Sequence, residues 1–363
     1  MRLIFYYVAD GAASPGESPL WDPSVPSTNK FVPRFKEEGY YSILKMLLDE
    51  KIVGEVLVII EGCRGSGSFE YGPIQGLTMP QTGDLILRPD DVVFVRGGFK
   101  SSIPFLERAK ENGWLLLYAA NTGRGRWPFW HVVFDDIGGQ NKVVRDRVYL
   151  DFRKPTNTDI FYPTDVERDF DLMIGASRIH DKKGQWRGIE VAIAYEKLFF
   201  DKLKCVLPGP WARGVRTAQI KEKIRKHNLD VTLTNHLSRK ELAGYMNRSR
   251  VFAHLGSGGQ GDRGPLEAMS CGCPIIIGFP KYHAPWTYNH SFCYTGDPGD
   301  YNDIAKHIRF QRQHDRLFFR SKISNYAREQ SGIKEVMLPQ MKKLFDFIKK
   351  HPDPRTAPLQ ELV

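Results

Sequence analysis

The sequence lacks the features that mark several protein classes. Cysteine occurs five times in 363 residues, at Cys63, Cys205, Cys271, Cys273 and Cys293. A sparse, odd-numbered set argues against a disulfide framework and fits a reducing compartment. Cys271-Gly-Cys273 has no second pair and no neighbouring histidine to complete a metal site, so packed thiols are expected. No apolar run approaches the roughly 20 residues of a membrane span. The opening MRLIFYYVADG has too short an apolar stretch, and no small-residue cleavage site, for a secretion signal. It reads as a first core strand. There is no low-complexity tract, no internal repeat and no block of consecutive like charge. H-E-x-x-H, G-x-S-x-G and Walker sequences are also missing, which removes the signatures of zinc proteases, serine hydrolases and P-loop nucleotidases.

What is present is ordinary in hydrophobic content, at 41%, and basic, with a formal charge of +10. That charge favours acidic partners: nucleotides, nucleic acid or an anionic membrane surface. Short apolar runs alternate with amphipathic stretches throughout. Arg2 to Val8, Val56 to Ile60, Val92 to Val95 and Leu115 to Tyr118 read as buried strands, with helices at Tyr40 to Asp49 and Ile103 to Asn112 between them. The second half repeats the style. Strands are expected at Leu172 to Ile174, Lys204 to Leu207, Val231 to Leu233, Val251 to His254 and Pro274 to Ile277. Helices are expected at Gly188 to Leu198, Thr217 to His227, Ser238 to Met246 and Gly264 to Ser270. Such alternation argues for parallel sheets covered on both faces, in two doubly wound domains. The join is expected in the Pro-containing, aperiodic DFRKPTNTDIFYPTDVERDF, which gives domains at 1–160 and 161–330. The amphipathic stretch Val336 to Ile348 belongs to a closing segment, 331–363.

The stretch GSGGQGDRGPLEAMSCGCPIIIG, Gly256 to Gly278, follows an apolar strand and opens with G-x-G-x-x-G spacing. A dinucleotide site would also need an acidic residue roughly 20 positions on, at the end of the next strand. That strand ends PIIIGFP, with no carboxylate, and the glycines come four strands into their domain, so nicotinamide binding is not favoured. The glycines Gly258, Gly259 and Gly261, with Gln260 between them, would still let backbone amides approach a ligand at a helix N-terminus. Glu267, one to two turns into that helix, suits a diol, because a carboxylate accepts hydrogen bonds from two hydroxyls. Cations for a phosphate stand in MIGASRIHDKKGQWRGIE, where Arg178 and Lys183 follow the first strand of the second half. A fixed fork and a mobile point charge together can clamp a diphosphate.

In this combination and order the second half, roughly Lys154 to Leu344, resembles the family-4 retaining glycosyltransferases of the GT-B fold. KPTNTDIFYP is similar to the family's linker, GASRIHDKKG to its Arg…Lys-Gly loop, and CVLPGPW to its next strand and turn. VTLTNHLSRKELAGYMNRSRVFAHLG matches the elements before the donor loop, and GPLEAMSCGCPIII matches the signature helix. The resemblance implies two Rossmann-like domains facing a central cleft. The first would bind the acceptor, the second a nucleotide-sugar, and the last helix would cross back to the first domain. It further implies that Arg178 and Lys183 stabilise the departing nucleotide and that Glu267 holds the ribose. The Gly258 to Gly261 backbone would lie along the sugar, and Asn235, His236 and Leu237 would surround the base. His236 reads equally as a plain loop histidine. The family's Glu-x7-Glu signature is broken, since Gly259 stands where the first Glu would touch the donor sugar.

The first half is less typical of the family: no Gly-Gly loop follows its first strand, and Ala119, Ala120 and Asn121 replace a histidine after Leu115 to Tyr118. NTGRGRWPFWH, with Asn121, Arg124, Arg126 and Trp127, interleaves arginines and aromatics. That mixture suits base stacking, sugar stacking or an anchored loop. Arg96 opens a second basic loop. Asp169-Phe170-Asp171 has the D-x-D spacing of a metal-diphosphate site, and Asp135-Asp136 follows a strand-like HVVF with a turn role expected.

The resulting expectation is a retaining, metal-independent glycosyltransferase, hexosyl or pentosyl. It would need no cofactor beyond its nucleoside-diphosphate-sugar substrate. The acceptor would be a cell-envelope glycan or lipid-linked saccharide. The alternatives are a transferase acting on hydroxymethyl bases in duplex DNA, and a non-catalytic GT-B binding protein. The location expected is cytoplasmic, with peripheral association at a membrane as the variant.

Overall fold

The computed structural model describes residues 1–8, 39–61, 66–79, 82–96, 103–118, 128–135, 141–151, 154–175, 184–209, 215–235, 237–256, 263–283, 285–314 and 317–363. The chain divides into two compact units: Met1–Pro155 together with Ile333–Val363, and Thr156–Gly332.

The first unit is built on β1 (Arg2–Val8), β2 (Glu55–Glu61), β3 (Gly67–Tyr71), β4 (Ile74–Met79), β5 (Asp91–Arg96), β6 (Trp114–Tyr118), β7 (Val132–Asp135), β8 (Lys142–Val144) and β9 (Arg147–Asp151). Their order is β3-β4-β2-β1-β5-β6-β7-β9-β8. The central strands are near-continuous apolar runs because both faces are covered, and the side chains divide by the two-residue period of a strand. Leu3, Phe5, Val56, Val58, Ile60 and Phe94 face one way, packing with helix α1 (Gly39–Asp49). Ile4, Tyr6, Leu57, Ile59, Val93 and Val95 face the other, against helix α2 (Ile103–Asn112).

This sheet is not wholly parallel, as alternation alone predicts. β3 runs antiparallel to β4, and β8 to β9, so a hairpin closes each edge. No strand is expected from the sequence at the first of these. It holds because Phe69 lies over the bare Cα of Gly76, where a Cβ would come within 2.0 Å of the ring.

The second unit has β10 (Phe170–Ile174), β11 (Cys205–Leu207), β12 (Val231–Leu233), β13 (Ser249–His254), β14 (Ile275–Ile277) and β15 (Cys293–Thr295), ordered β12-β11-β10-β13-β14-β15. Every pairing is parallel. Helices α3 (Gln185–Phe199), α4 (Val215–Lys226), α5 (Arg239–Asn247), α6 (Arg263–Ser270), α7 (Pro285–Tyr288), α8 (Tyr301–His314) and α9 (Leu317–Ser331) accompany it. α3, α4 and α8 contribute to the core on one face, and α5, α6 and α9 to that on the other. This is the doubly wound arrangement expected. The turn after α6 passes through Gly272, whose φ is +74° and where a Cβ would meet the Arg320 backbone at 2.8 Å. Only glycine fits such a site without strain.

The terminal helix α10 (Leu338–Lys350) buries Met341, Leu344, Phe345, Phe347 and Ile348 in the first unit's core. Trp114 of β6 donates its indole N–H to the His351 carbonyl at 2.9 Å. Thr156 and Gly332, the first and last residues of the second unit, meet in a parallel bridge, and Thr156 N–H donates to the Ser331 carbonyl at 3.2 Å.

Candidate functional site

In the second unit the strand order reverses between β10 and β13: successive strands add outward on one side from β10 to β12, and on the other from β13 to β15. Ligands of open α/β sheets bind beyond the C-terminal ends of the strands at such a switch point, where two neighbouring loops diverge. Here β10 and β13 are in register through Ile174 and Ala253, and Gly175 N–H donates to the Ala253 carbonyl at 2.8 Å. The loops leaving these two strands are those of Arg178 and Lys183, and of Gly258 to Gly261.

The residues that end the first loop are packed against those that open the second. Gly184, immediately after Lys183, has φ +80° and lies so close to the Leu255–Gly256 peptide that a Cβ would sit 2.3 Å from the Leu255 carbonyl carbon. Arg187, in the first turn of α3, reaches the Leu255 carbonyl at 3.4 Å and lies over the Phe279 ring at 5.2 Å. The start of α3 is thus bound to the root of the glycine loop.

Glu267 lies in the second turn of α6 and is 3% exposed. Its Oε1 accepts a hydrogen bond from Arg239. Arg239 is the first residue of α5, whose start is fixed by a capping box: the Ser238 hydroxyl accepts from Glu241 N–H, and the Glu241 carboxylate accepts from Ser238 N–H. The Arg239 guanidinium also covers the Phe161 ring at 4.8 Å. Leu237, half-buried, and Asn235, exposed, immediately precede this cap. One arginine therefore ties the Asn235–Leu237 loop to Glu267. Sequence reasoning missed Arg239. Ser-x-x-Glu places it at a helix start, but nothing local announces a partner on another helix.

Arg178, Lys183, Gly258, Gly259, Gln260, Gly261, His236, Asn121, Arg124, Arg126 and Trp127 lie outside the described residues. Arg96 ends β5 with its guanidinium over the Tyr40 ring, 4.4 Å from the centroid. Glu61, at the C-terminal end of β2, is buried and accepts from the Tyr6 and Thr82 hydroxyls, the latter at 2.7 Å. Sequence reasoning did not single it out.

The D-x-D reading fails on placement. Asp169 and Asp171 lie at the N-terminal end of β10, the end opposite the switch point. Arg248 donates to Asp169 through Nε at 2.8 Å and through Nη2, and holds the carboxyl below its usual range. Asp171 is buried and meets Arg250 at 3.1 Å and Arg312 at 3.2 Å. These carboxylates serve structural ion pairs. Cys271 and Cys273 are fully buried in the core, where burial pushes the Cys271 thiol well up. Among the described residues no group of three His, Cys, Asp or Glu is placed to hold a metal ion, and no helix is long and apolar enough to cross a membrane.

Residues 159–330 match the family model described as glycosyl transferases group 1. No curated protein matches the chain by sequence. Solved structures similar to it include sucrose-phosphate synthase from Thermosynechococcus elongatus, at 13% identity and TM-score 0.66, covering 96% of this chain and 99% of that one. Anabaena Alr3699/HepE in complex with UDP gives 13% identity and TM-score 0.65, covering 95% and 100%. A structure described as trehalose-6-phosphate from E. coli bound with UDP-2-fluoro glucose gives 8% identity and TM-score 0.61, covering 97% and 99%. The family match takes in nearly the whole of the second unit and the structural likeness nearly the whole chain. The unit Thr156–Gly332 is therefore similar over nearly its whole length to glycosyl transferases group 1, in a chain with the GT-B fold.

Proposed function

We propose that this chain is a retaining glycosyltransferase that moves a sugar from a nucleoside diphosphate to an acceptor hydroxyl on a cell-envelope glycan or lipid-linked saccharide. The observation that carries the reading is the β10/β13 switch point. The loops bearing Arg178 and Lys183 and Gly258 to Gly261 leave adjacent strand ends, and buried Glu267 stands on the helix that the second loop enters. The chemical difficulty is the charge that develops on the departing diphosphate. Arg178 and Lys183 would stabilise it electrostatically, without a metal. Glu267 would accept hydrogen bonds from the ribose hydroxyls, and Asn235, His236 and Leu237 would border the base. The sequence offers no evident carboxylate nucleophile, so the acceptor would attack from the leaving-group side, with a donor phosphate oxygen taking its proton. UDP in the structure of Anabaena HepE makes uridine the first nucleotide to try.

The test is a screen of UDP-, GDP- and ADP-sugars for binding and for acceptor-free hydrolysis, with the product anomer read by NMR. Hydrolysis of one donor class with retained configuration supports the proposal; no binding to any of them sinks it. Gly259, in place of the family's first Glu, favours one second reading, a nucleotide-sugar-binding protein without transferase activity. Tight binding with neither hydrolysis nor transfer would establish it. Salt-sensitive binding to hydroxymethylated duplex DNA would move the acceptor to nucleic acid.

A further inference from the structure

We infer that Arg239 is a positioning residue for the donor nucleotide: it holds one oxygen of Glu267 so that the carboxylate presents its remaining lone pairs to the ribose diol. This rests on the reading of Glu267 given above and adds a residue to it.

A glutamate carboxylate turns about its last torsion with little preference, so a directional contact to a diol needs something to fix it. Glu267 has a side chain only 4% exposed, and its Oε1 is taken by Arg239. Among the described residues no other hydrogen bond or ion pair reaches that carboxylate. Each carboxylate oxygen has two lone pairs. Oε1 can therefore keep Arg239 and still accept one ribose hydroxyl, while Oε2 accepts the other.

Arg239 is suited to this because its own position is set from both ends. The Ser238–Glu241 capping box fixes its backbone, and the Phe161 ring lies under its guanidinium. A guanidinium stays protonated under all working conditions, so the buried carboxylate keeps a counter-charge whether or not nucleotide is present. The same residue follows the Asn235–Leu237 loop in the chain. Base-side loop and ribose-side carboxylate thus share one anchor, and a shift of either is felt by the other.

The test compares binding of UDP and 2′,3′-dideoxy-UDP. Wild type should prefer UDP by about tenfold, the worth of the two hydroxyls that the analogue lacks. Glu267→Gln should remove most of that preference. If wild type binds the two equally, or Glu267→Gln keeps the preference, the Glu267 reading is wrong. Arg239→Gln should weaken UDP binding by about tenfold and leave dideoxy-UDP within about twofold, with Arg239→Lys recovering part of the loss. With a UDP-sugar substrate, KM should rise and kcat hold. Equal weakening of both nucleotides, or UDP binding unchanged, overturns the proposal. Arg239→Gln leaves a buried carboxylate without its counter-charge, so Glu267→Gln with Arg239→Gln is the companion variant. It should bind UDP as Glu267→Gln alone does; a further loss beyond about twofold shows Arg239 acting elsewhere and also overturns the proposal.

Discussion

Gly184 and Leu255 are in backbone contact: the glycine has φ +80°, and a Cβ on it would lie 2.3 Å from the Leu255 carbonyl carbon. One residue ends the loop that carries the two cations, and the other precedes the glycine loop. Their contact joins the two segments to which the diphosphate and sugar roles are assigned.

Gly184→Ala is therefore expected to do more than strain a turn. The positive φ alone costs about 1–2 kcal/mol, and the clash is with backbone, which cannot rotate away. Urea denaturation should show a loss of more than about 2 kcal/mol. At temperatures where the variant is still folded, nucleotide affinity should fall as well. Full retention of both would remove the structural basis for coupling the loops.

Arg178→Ala and Lys183→Ala should each lower turnover more than about tenfold, since each removes charge stabilisation worth a few kcal/mol in a closed site. Steady-state kinetics on variants with unchanged thermal transitions is the check. Near-normal rates in both would displace the leaving-group site.

Activity is expected to survive EDTA. Loss restored by Mg²⁺ or Mn²⁺ would contradict the assignment of diphosphate neutralisation to side chains. Asp171→Asn separates this from the D-x-D idea. It unbalances a buried cluster with Arg250 and Arg312, so stability should drop by about 3 kcal/mol. Nucleotide affinity should be unchanged. A selective loss of affinity in a stably folded Asp171→Asn would restore the carboxylate to the site.

Stability of the first unit should fall between pH 6.5 and 4 on account of His131. Burial lowers this imidazole to about 4, helped by the charge of Lys110. Its Nδ1 accepts from Leu115 N–H at 3.1 Å, which requires the neutral ring. The unfolded chain takes up the proton near 6.5 and the folded one does not until about 4. The stabilisation is complete above 6.5 and is lost as pH falls towards 4, at up to about 1.4 kcal/mol per pH unit. His131→Gln keeps an acceptor without titrating. Urea midpoints against pH should show its slope shallower by about one proton; an unchanged slope would put the titration on another group.

Much of this architecture was legible in the sequence because it depends on short-range patterns. Ile103–Asn112 and Val231–Leu233 fall where periodicity placed them, and fully apolar runs marked the strands buried on both faces. The edge hairpins were not legible. Gly67–Tyr71 and Lys142–Val144 are short edge strands that owe their form to an antiparallel partner, and β15 at Cys293–Thr295 is three residues long. The candidate site divides in the same way. Glu267 was singled out from its place after a glycine loop. The arginine that faces it was not, because the pairing of Arg239 with Glu267 is created by packing of two helices and leaves no spacing rule behind. The carboxylates of Asp169 and Asp171 show the converse: a familiar spacing lay at the wrong end of its strand.

The bridge between Thr156 and Gly332 has a consequence for how the chain assembles. The first unit is discontinuous, and its core needs α10, which follows the inserted unit in the chain. During synthesis its early strands wait with a face uncovered while the whole inserted unit emerges. Bringing distant segments together costs entropy that grows with the length of the intervening chain. A folded insert whose own ends are already hydrogen-bonded side by side turns that long span into a short one. The join thus favours an order of folding in which the insert completes first and, by closing on itself, brings the returning helix to a partially built sheet.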